Sequence, residues 1–237
     1  METQRLMKEI ALSAPACARV LDTLGVNYCC DGGGRLDLAQ ACLAAGQDPS
    51  MIIARLEQAK DATDFADWTG GPASALIRHI LDTHHVFTRE QLAHLDIMLE
   101  RLTRRHGEAR PELHEIQAIF QDLRDDLLPH LLKEENILFP YIEALEQHQS
   151  AGSPLPAACF GVIDNPLRQM ESEHAAVTGL LQKLRQATAD HALPADACAS
   201  HRIALQALEN LEADLLRHIH LENEVLFPQA LALAQTV

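Results

Sequence analysis

The chain has 237 residues and a formal net charge of −15, from 19 basic and 34 acidic side chains. Such an acidic chain offers no basic surface, so we expect neither nucleic acid nor an anionic membrane as a partner. The length is sufficient for one large domain with a buried core, or for one domain and a smaller one. The first residues contain no apolar run of secretory-signal length, and no later segment approaches a membrane span. We therefore expect a soluble cytoplasmic protein.

The cysteine and histidine contents bear on the chemistry of the chain. The six cysteines are scattered, without the paired spacings of a zinc ribbon or a secreted disulfide scaffold, so we expect reduced thiols. Thirteen histidines stand against two tyrosines and one tryptophan, which directs attention to imidazole chemistry. The cysteines are Cys17, Cys29, Cys30, Cys42, Cys159 and Cys198.

The secondary-structure elements are predicted to be helices throughout. No sustained alternation of β-branched residues is present, whereas apolar residues at helical spacing occur along most of the chain. We predict a small helical domain over residues 1–65 and four long helical stretches over residues 72–237. Segments rich in small and polar residues separate these parts, at Asp61–Ser74, Arg104–Pro111, His148–Gly161 and Ala189–Asp196.

Each of the four stretches carries apolar residues at steps of three and four, the inward face of a helix in a bundle. Histidine interrupts every one of these faces, and glutamate interrupts two of them. A buried carboxylate or imidazole is costly unless it is paired or bound to an ion. We infer that these side chains bind metal. They are His85, His130, Glu134, His174, His218 and Glu222.

An internal repeat supports this inference. The segment "HLLKEENILFP" (His130–Pro140) recurs as "HIHLENEVLFP" (His218–Pro228), and His85 and His174 repeat at nearly the same interval. Residues four apart lie about 6 Å apart along a helix axis and about 40° apart around it, so His-x3-Glu directs both side chains to one point. A single such pair is commonly a surface ion pair. Its repetition on inward faces predicts two metal ions bridged by the two glutamates, with two imidazoles on each ion and coordination positions left free.

The donor set narrows the choice of metal. Imidazole and carboxylate ligands suit iron, manganese, zinc or cobalt, and these faces offer no thiolate. A structural zinc site would be smaller and closed. Bridging carboxylates inside a four-helix bundle favour a pair of redox irons.

Four motifs together resemble a known family. They are the two repeated segments, "MESEH" (Met170–His174) and "HHVFTREQL" (His84–Leu92), and they resemble the hemerythrin-like di-iron domain. With "LGVNYCCDGGGRLDLAQAC" (Leu24–Cys42) before them, they look more like the RIC family of iron–sulfur cluster repair proteins, in which a small cysteine-pair (ScdA-type) domain precedes the bundle. The resemblance implies an all-α, up-down-up-down four-helix bundle preceded by a small helical domain. It also implies an oxo- and carboxylate-bridged pair of iron ions.

The resemblance places the ligands residue by residue. It selects Glu134 rather than Glu135, and it selects His85, which stands four residues before Arg89. The apolar spacing agrees, because His84 lies beside the inward face; His84 as the ligand remains the alternative. Of the other histidines, His220 lies off the inward face, and His79 is assigned to packing or to a position behind the ligands.

Two departures from the wider family concern the site. Oxygen-carrying hemerythrins add a histidine where this chain has Thr178, which argues against simple reversible oxygen carriage. Pro129 precedes His130 directly, and a proline inside a helix usually kinks it, so the placement of His130 is in question. Pro140 and Pro228 are interpreted as helix terminators.

The adjacent Cys29 and Cys30 are candidates for a thiol role. Vicinal cysteines rarely form a stable disulfide with one another, and the resemblance implies that this pair takes up or delivers iron, nitric oxide or sulfur. Asp31 stands where the family usually has glycine, and its charge would oppose thiolate formation.

The function that the resemblance implies is repair of iron–sulfur clusters damaged by nitric oxide or oxidative stress, through iron donation, nitric oxide handling, or both. The expected partners are damaged iron–sulfur proteins, with nitric oxide or dioxygen as small ligands. Two alternatives stay open, a nitric oxide or dioxygen sink or sensor and a di-iron nitric oxide reductase, so enzymatic activity is undecided. The oligomeric state is also open.

Overall fold

The chain folds as an all-α protein. The computed structural model describes residues 36–60, 68, 70–156, 158 and 160–235. Every element within these ranges is helical and none is a strand, which confirms the predicted helical bundle. No described helix has both the length and the apolarity needed to cross a lipid bilayer.

Two short helices come first. Asp37 caps the start of helix α1 (Leu38–Ala44). Its carboxylate accepts a hydrogen bond of 2.8 Å from the backbone N–H of Gln40, and the Gln40 side chain accepts one from the backbone N–H of Asp37. This reciprocal capping box satisfies donors that the first helical turn leaves free. Helix α2 (Pro49–Lys60) begins with proline, which is tolerated at the first helical position. Apolar side chains of both helices are buried, among them Leu38, Ala41, Cys42, Ile52 and Leu56.

Four long helical stretches follow, and three of them contain one π-helical turn. The first consists of α3 (Ala73–His79), π1 (Ile80–His85) and α4 (Val86–His106). The second consists of α5 (Glu112–Lys133), π2 (Glu134–Leu138) and α6 (Phe139–Ala151). The third is α7 (Asp164–Ala187), and the fourth consists of α8 (Ala199–His220), π3 (Leu221–Leu226) and α9 (Phe227–Gln235).

Glycines mark two of the helix ends. Gly152 follows α6 in a left-handed conformation, with φ of 65°, and its N–H donates to the carbonyl of His148. A side chain at Gly107, directly after α4, would place its Cβ 2.5 Å from the carbonyl oxygen of Thr103. Only glycine avoids this clash, so both helices end where the sequence predicts a break.

The prediction that Pro140 and Pro228 terminate helices is wrong. Pro140 and Pro228 do not end their helices; each lies in the first turn of a helix, α6 or α9, that follows a π-helical turn directly. The N–H of Phe139 donates to the carbonyl of Glu134, and that of Phe227 donates to Glu222, so each proline comes immediately after an i to i−5 bond. The change of hydrogen-bond register lets the helix continue without the missing proline N–H. Helix α5 also continues through Pro129, as far as Lys133.

The chain divides into two compact units. The described part of the first comprises residues 36–60, 90–117 and 187–211, and that of the second comprises residues 68, 70–89, 118–156, 158, 160–186 and 212–235. In the first unit, Thr103 donates a hydrogen bond to the carbonyl of Leu113, and Arg110 pairs with Asp196. The first contact links α4 to α5, and the second links the connection before α5 to the connection between α7 and α8.

The second unit contains a hydrophobic core built from all four long stretches. It includes Phe139 and Phe227, the aromatic residues of the two repeated Leu-Phe-Pro segments, which are almost fully buried. The other members are Ala73, Leu76, Ile77, Ile80, Leu138, Ile142, Leu145, Ile163, Leu167, Met170, Leu221, Leu226 and Ala230. This core lies against the cluster of histidines and glutamates described below.

A carboxylate from α6 caps the start of α3. The backbone N–H groups of Ala73 and Ser74 donate to Oε1 and Oε2 of Glu146 at 2.7 and 3.2 Å. Replacing Glu146 by Ala should lower the free energy of unfolding by about 1–2 kcal/mol, because two helical N–H groups lose a charged acceptor. Urea unfolding followed by circular dichroism measures the change. Glu143→Ala removes the same charge from the same helix and should change stability by less than about 0.5 kcal/mol; equal losses in the two variants would contradict the capping role.

Candidate metal centre

Three π-helical turns carry residues of the centre. His85 is the last residue of π1, Glu134 is the first residue of π2, and Glu222 is the second residue of π3. A π-helical turn inserts one residue into a helix and changes the direction of the side chains that follow, and such turns are frequent at functional sites. The remaining side chains of the cluster come from regular helix: His130 from α5, His174 from α7 and His218 from α8.

The structure brings all six sequence-predicted residues together, and all six are buried. Their donor atoms form two adjoining groups, in each of which the atoms lie within 4.8 Å of one another. Both groups contain Glu134 and Glu222. The first group adds His85 and His218, and the second adds His130 and His174.

Each glutamate directs one oxygen to each group. Oε2 of Glu134 lies 3.4 Å from Nε2 of His85, and Oε1 lies 3.2 Å from Nε2 of His130. Oε1 of Glu222 lies 3.0 Å from Nε2 of His218, and Oε2 lies 3.1 Å from Nε2 of His174. Both carboxylates are therefore placed to bridge two cations.

The opposite nitrogen of three rings has its own acceptor. Nδ1 of His85 lies 2.8 Å from Oε1 of Glu135, Nδ1 of His130 lies 2.9 Å from Oε2 of Glu173, and Nδ1 of His174 lies 2.9 Å from Oδ1 of Asn223. An acceptor at Nδ1 fixes the proton there, so Nε2 presents its lone pair to the centre.

Sequence patterns do not indicate these three acceptors. The motif favours Glu134 over Glu135 as a ligand, and no motif singles out Glu173 or Asn223. Each stands directly beside a metal-ligand candidate in the chain, and that adjacency was the available signal. Cations support two of them: Arg89 contacts Glu135 at 2.6 Å, and Lys133 contacts Glu173.

Two phenylalanines close one side of the cluster. The ring of Phe227 stacks on His174 with 5.9 Å between centroids and 4° between planes, and Phe139 lies 5.7 Å from the ring of His85. The repeated Leu-Phe-Pro segments therefore supply an apolar wall to each group of donors.

The electrostatics of the metal-free cluster favour charged groups despite burial. Burial alone would raise the pKa of Glu222, but the charge of His218 and the contacts with the His218 and His174 rings hold that pKa well below its usual range. Burial would lower the pKa of His130, but the Glu134 carboxylate, with a contribution from Glu173, raises it to about 9. The pKa of His218 is also raised, by Glu222 against the effect of burial. In the absence of metal, protons supply the positive charge of the cluster.

The outer acceptors are held ionised. Burial would raise the pKa of Glu173, but hydrogen bonds from Lys133, Gln169 and His130 lower it to about 2. The pKa of Glu135 is likewise lowered by Arg89 and His85, which outweigh its partial burial. Both carboxylates therefore remain negative at neutral pH and can accept hydrogen bonds from the imidazoles.

The residues present fit a pair of cations. Among the described residues, both oxygens of Glu134 and Nε2 of His85 are buried without a hydrogen-bond partner, which is costly unless an ion binds them. Nε2 of His130 and Nε2 of His174 face each other at 3.2 Å. Two nitrogens that bind one ion, each at about 2.1 Å, lie about this far apart. The nitrogen and oxygen donors suit iron, manganese, zinc or cobalt.

The other histidines near the cluster belong to neither group of donors. His84 is buried, its Nδ1 lies 3.1 Å from Oδ1 of Asp214, and its ring stacks on that of His218. His79 stacks on Trp68, with 4.6 Å between centroids, and contacts His84 edge-on at 5.4 Å. His220 is exposed.

Most of the cysteines lie outside the described residues. This holds for the candidate thiol pair Cys29 and Cys30, and also for Cys17 and Cys159. Cys42 and Cys198 form no disulfide with one another, the two being the cysteines within the described residues. Burial, with a contribution from Asp48, raises the pKa of Cys42, so this thiol is protonated and belongs to the packing of α1.

Comparison with known proteins decides the family. Residues 76–230 match the model of the hemerythrin HHE cation binding domain, and residues 3–60 match ScdA_N, a domain of unknown function. Relatives named iron–sulfur cluster repair protein YtfE are 32% identical to the chain. The relative from Musicola paradisiaca covers 96% of this chain and 96% of its own length, and those from Escherichia coli O1:K1 and Escherichia fergusonii cover 94% and 95%. The chain belongs to the hemerythrin HHE family of iron–sulfur cluster repair proteins.

Membership of this repair family agrees with the position of the cluster. The segment that matches the cation-binding domain contains all six clustered residues. The chain thus has a cation-binding domain with a buried histidine and glutamate cluster that can hold metal.

The protonated cluster predicts a pH dependence for the metal-free protein. The pKa of His130 is raised from 6.5 to about 9 on folding, so between these values the folded state binds more protons than the unfolded state. Stability should therefore fall as the pH rises from 6.5 to 9, by an amount on the order of 3 kcal/mol from His130 alone. Urea unfolding of chelator-treated protein at several pH values measures this slope.

His130→Gln should flatten the slope, whereas His220→Gln, at an exposed position of α8, should leave it unchanged. A slope that persists in His130→Gln at its full size would contradict the assignment of the proton to His130.

Proposed function

We propose that the chain is a di-iron protein that restores iron–sulfur clusters damaged by nitric oxide or oxidants, acting in the cytoplasm. One observation carries the proposal: two groups of nitrogen and oxygen donors share Glu134 and Glu222, each of which directs one oxygen to either group. The names of the relatives support the choice of iron–sulfur proteins as targets.

The proposed cofactor is an oxo- and carboxylate-bridged pair of irons. His85 and His218 would bind one iron, His130 and His174 would bind the other, and Glu134 and Glu222 would bind both. Bound there, the pair would supply redox chemistry and open coordination positions for nitric oxide or dioxygen. Iron is at the same time the cargo in donation to a damaged cluster.

The surrounding residues orient the ligands and control their protons. Glu135, Glu173 and Asn223 accept hydrogen bonds at Nδ1 of three imidazoles, which leaves Nε2 free for metal. Phe139 and Phe227 keep water from one side of the rings. When iron leaves, Nε2 of His130 can take up a proton beside Glu134, so the empty site keeps a positive charge next to its buried carboxylates.

Two parts of the proposal concern the domains. We propose a small helical domain over residues 1–65 and a di-iron bundle over residues 72–237, in keeping with the two matched family models. Cys29 and Cys30 would transfer iron, nitric oxide or sulfur equivalents between the bundle and the damaged cluster.

The metal content of purified protein tests the cofactor. Protein loaded anaerobically with Fe²⁺ should contain two irons per chain, and His85→Ala should retain one, because only one group of donors loses a ligand. Glu134→Ala should weaken both positions, because it removes an oxygen from each. Elemental analysis after gel filtration provides the measurement, with His220→Ala as a control that keeps two irons. A wild-type chain without iron would contradict the proposal.

Recovery of a damaged enzyme tests the function. An iron–sulfur enzyme inactivated by nitric oxide should recover its activity faster with the loaded protein than with the same amount of free Fe²⁺. Glu134→Ala should abolish the difference, and Cys29→Ala/Cys30→Ala should reduce it while the chain keeps two irons. Recovery no faster than with free iron would contradict repair. Stoichiometric nitrosyl formation without recovery would instead indicate a sink or sensor, and sustained nitric oxide consumption would indicate a reductase.

A further inference from the structure

The four imidazoles of the centre are not supported in the same way. Hydrogen-bond acceptors hold the Nδ1 atoms of His85, His130 and His174, at 2.8 to 2.9 Å. His218 has no such acceptor among the described residues; its hydrogen bond is the one between Nε2 and Glu222. Another interaction must therefore fix the rotation of its ring.

The ring of His84 provides that interaction. It lies parallel to the ring of His218, with 7° between planes and 5.5 Å between centroids, and His85 contacts the same ring edge-on at 5.0 Å. Both distances are typical of stacked and edge-to-face aromatic pairs. The rings of His84 and His85, consecutive residues of π1, thus both contact the ring of His218.

Asp214 in turn holds His84. Its Oδ1 lies 3.1 Å from Nδ1 of His84, and it stands one helical turn before His218 on α8. His84 is 1% exposed, and His79 meets its ring from another direction, so the ring has little freedom. The contact between Asp214 and His84 connects π1 to the helix that carries His218.

His84 is not placed as a ligand. Neither group of donors includes it, whereas His85, the next residue, faces Glu134 with its Nε2. The position of His84 fits a side chain that acts on the centre through His218.

We propose that His84, held by Asp214, is a positioning residue that fixes the ring of His218 and thereby sets the affinity of the metal position formed by His85 and His218. The inference rests on the proposed di-iron centre. The position formed by His130 and His174 has its own supports, Glu173 and Asn223, so loss of His84 should leave it unchanged.

The test is an anaerobic Fe²⁺ titration against a chromophoric chelator, with Mössbauer spectra of ⁵⁷Fe-loaded protein. His84→Ala should bind one iron with wild-type affinity and the other about ten- to a hundredfold more weakly, the usual effect of removing a group that orients a ligand. Its spectrum at one iron per chain should show a single environment. His84→Phe keeps a flat ring but loses the contact with Asp214, so it should weaken the same position less than His84→Ala does. His220→Ala, at an exposed position on the helix that carries His218, should match the wild type.

Circular dichroism and the surviving iron position show whether a variant is folded. If His84→Ala loses helical content, Asp214→Ala replaces it, since this change frees the ring of His84 without removing it; weakening of the same single position is expected. Wild-type binding of both irons by the Ala variants would overturn the inference. So would weakening of both positions to the same extent. Weakening of this position in His84→Phe as large as in His84→Ala would also overturn it, because the stacked ring would then contribute nothing. A wild-type chain that binds fewer than two irons would overturn the proposed function together with this inference.

Discussion

The structure depends on one constraint: Glu134 and Glu222 place two carboxylates in the interior of a helical bundle. Both residues are fully buried, and both oxygens of Glu134 lack a hydrogen-bond partner in the part of the chain that the structure describes. A buried carboxylate is tolerated when positive charge accompanies it. His130 and His218, whose pKa values are raised, can supply that charge as protons, or metal cations can supply it instead. The histidines surround the two carboxylates, and the π-helical turns carry both glutamates. Phe139 and Phe227 contact the histidine rings.

The internal repeat gives the centre its two equivalent glutamates, but the environment of the two halves differs. Each repeated segment contributes a histidine, a carboxylate shared by both groups of donors and a phenylalanine that contacts a ring of the centre. The supports behind the rings do not repeat. They are carboxylates at His85 and His130, an amide at His174, and a stacked ring at His218. The two groups of donors share both glutamates but therefore differ in the contacts that hold their rings.

The sequence predicts the all-α fold and the six clustered residues, because polar side chains at inward helical positions can be recognised from spacing alone. The spacing does not predict the π-helical turns, because each spans only five or six residues, too few to show a change of period. For that reason the prediction that Pro140 and Pro228 end their helices is wrong. Glu173, Asn223 and the stack of His84 on His218 depend on contacts between distant helices, which no local pattern encodes. The roles of Cys29 and Cys30 stay predictions, because both lie outside the described residues.

The central claim is that cations occupy two positions between the six buried side chains. Anomalous diffraction at the iron absorption edge, from crystals of the iron-loaded protein, tests it directly. The account predicts two peaks of similar height, one between His85 and His218 and the other between His130 and His174, with Glu134 and Glu222 adjacent to both. A single peak elsewhere, or no peak among these side chains at full iron loading, would contradict the account.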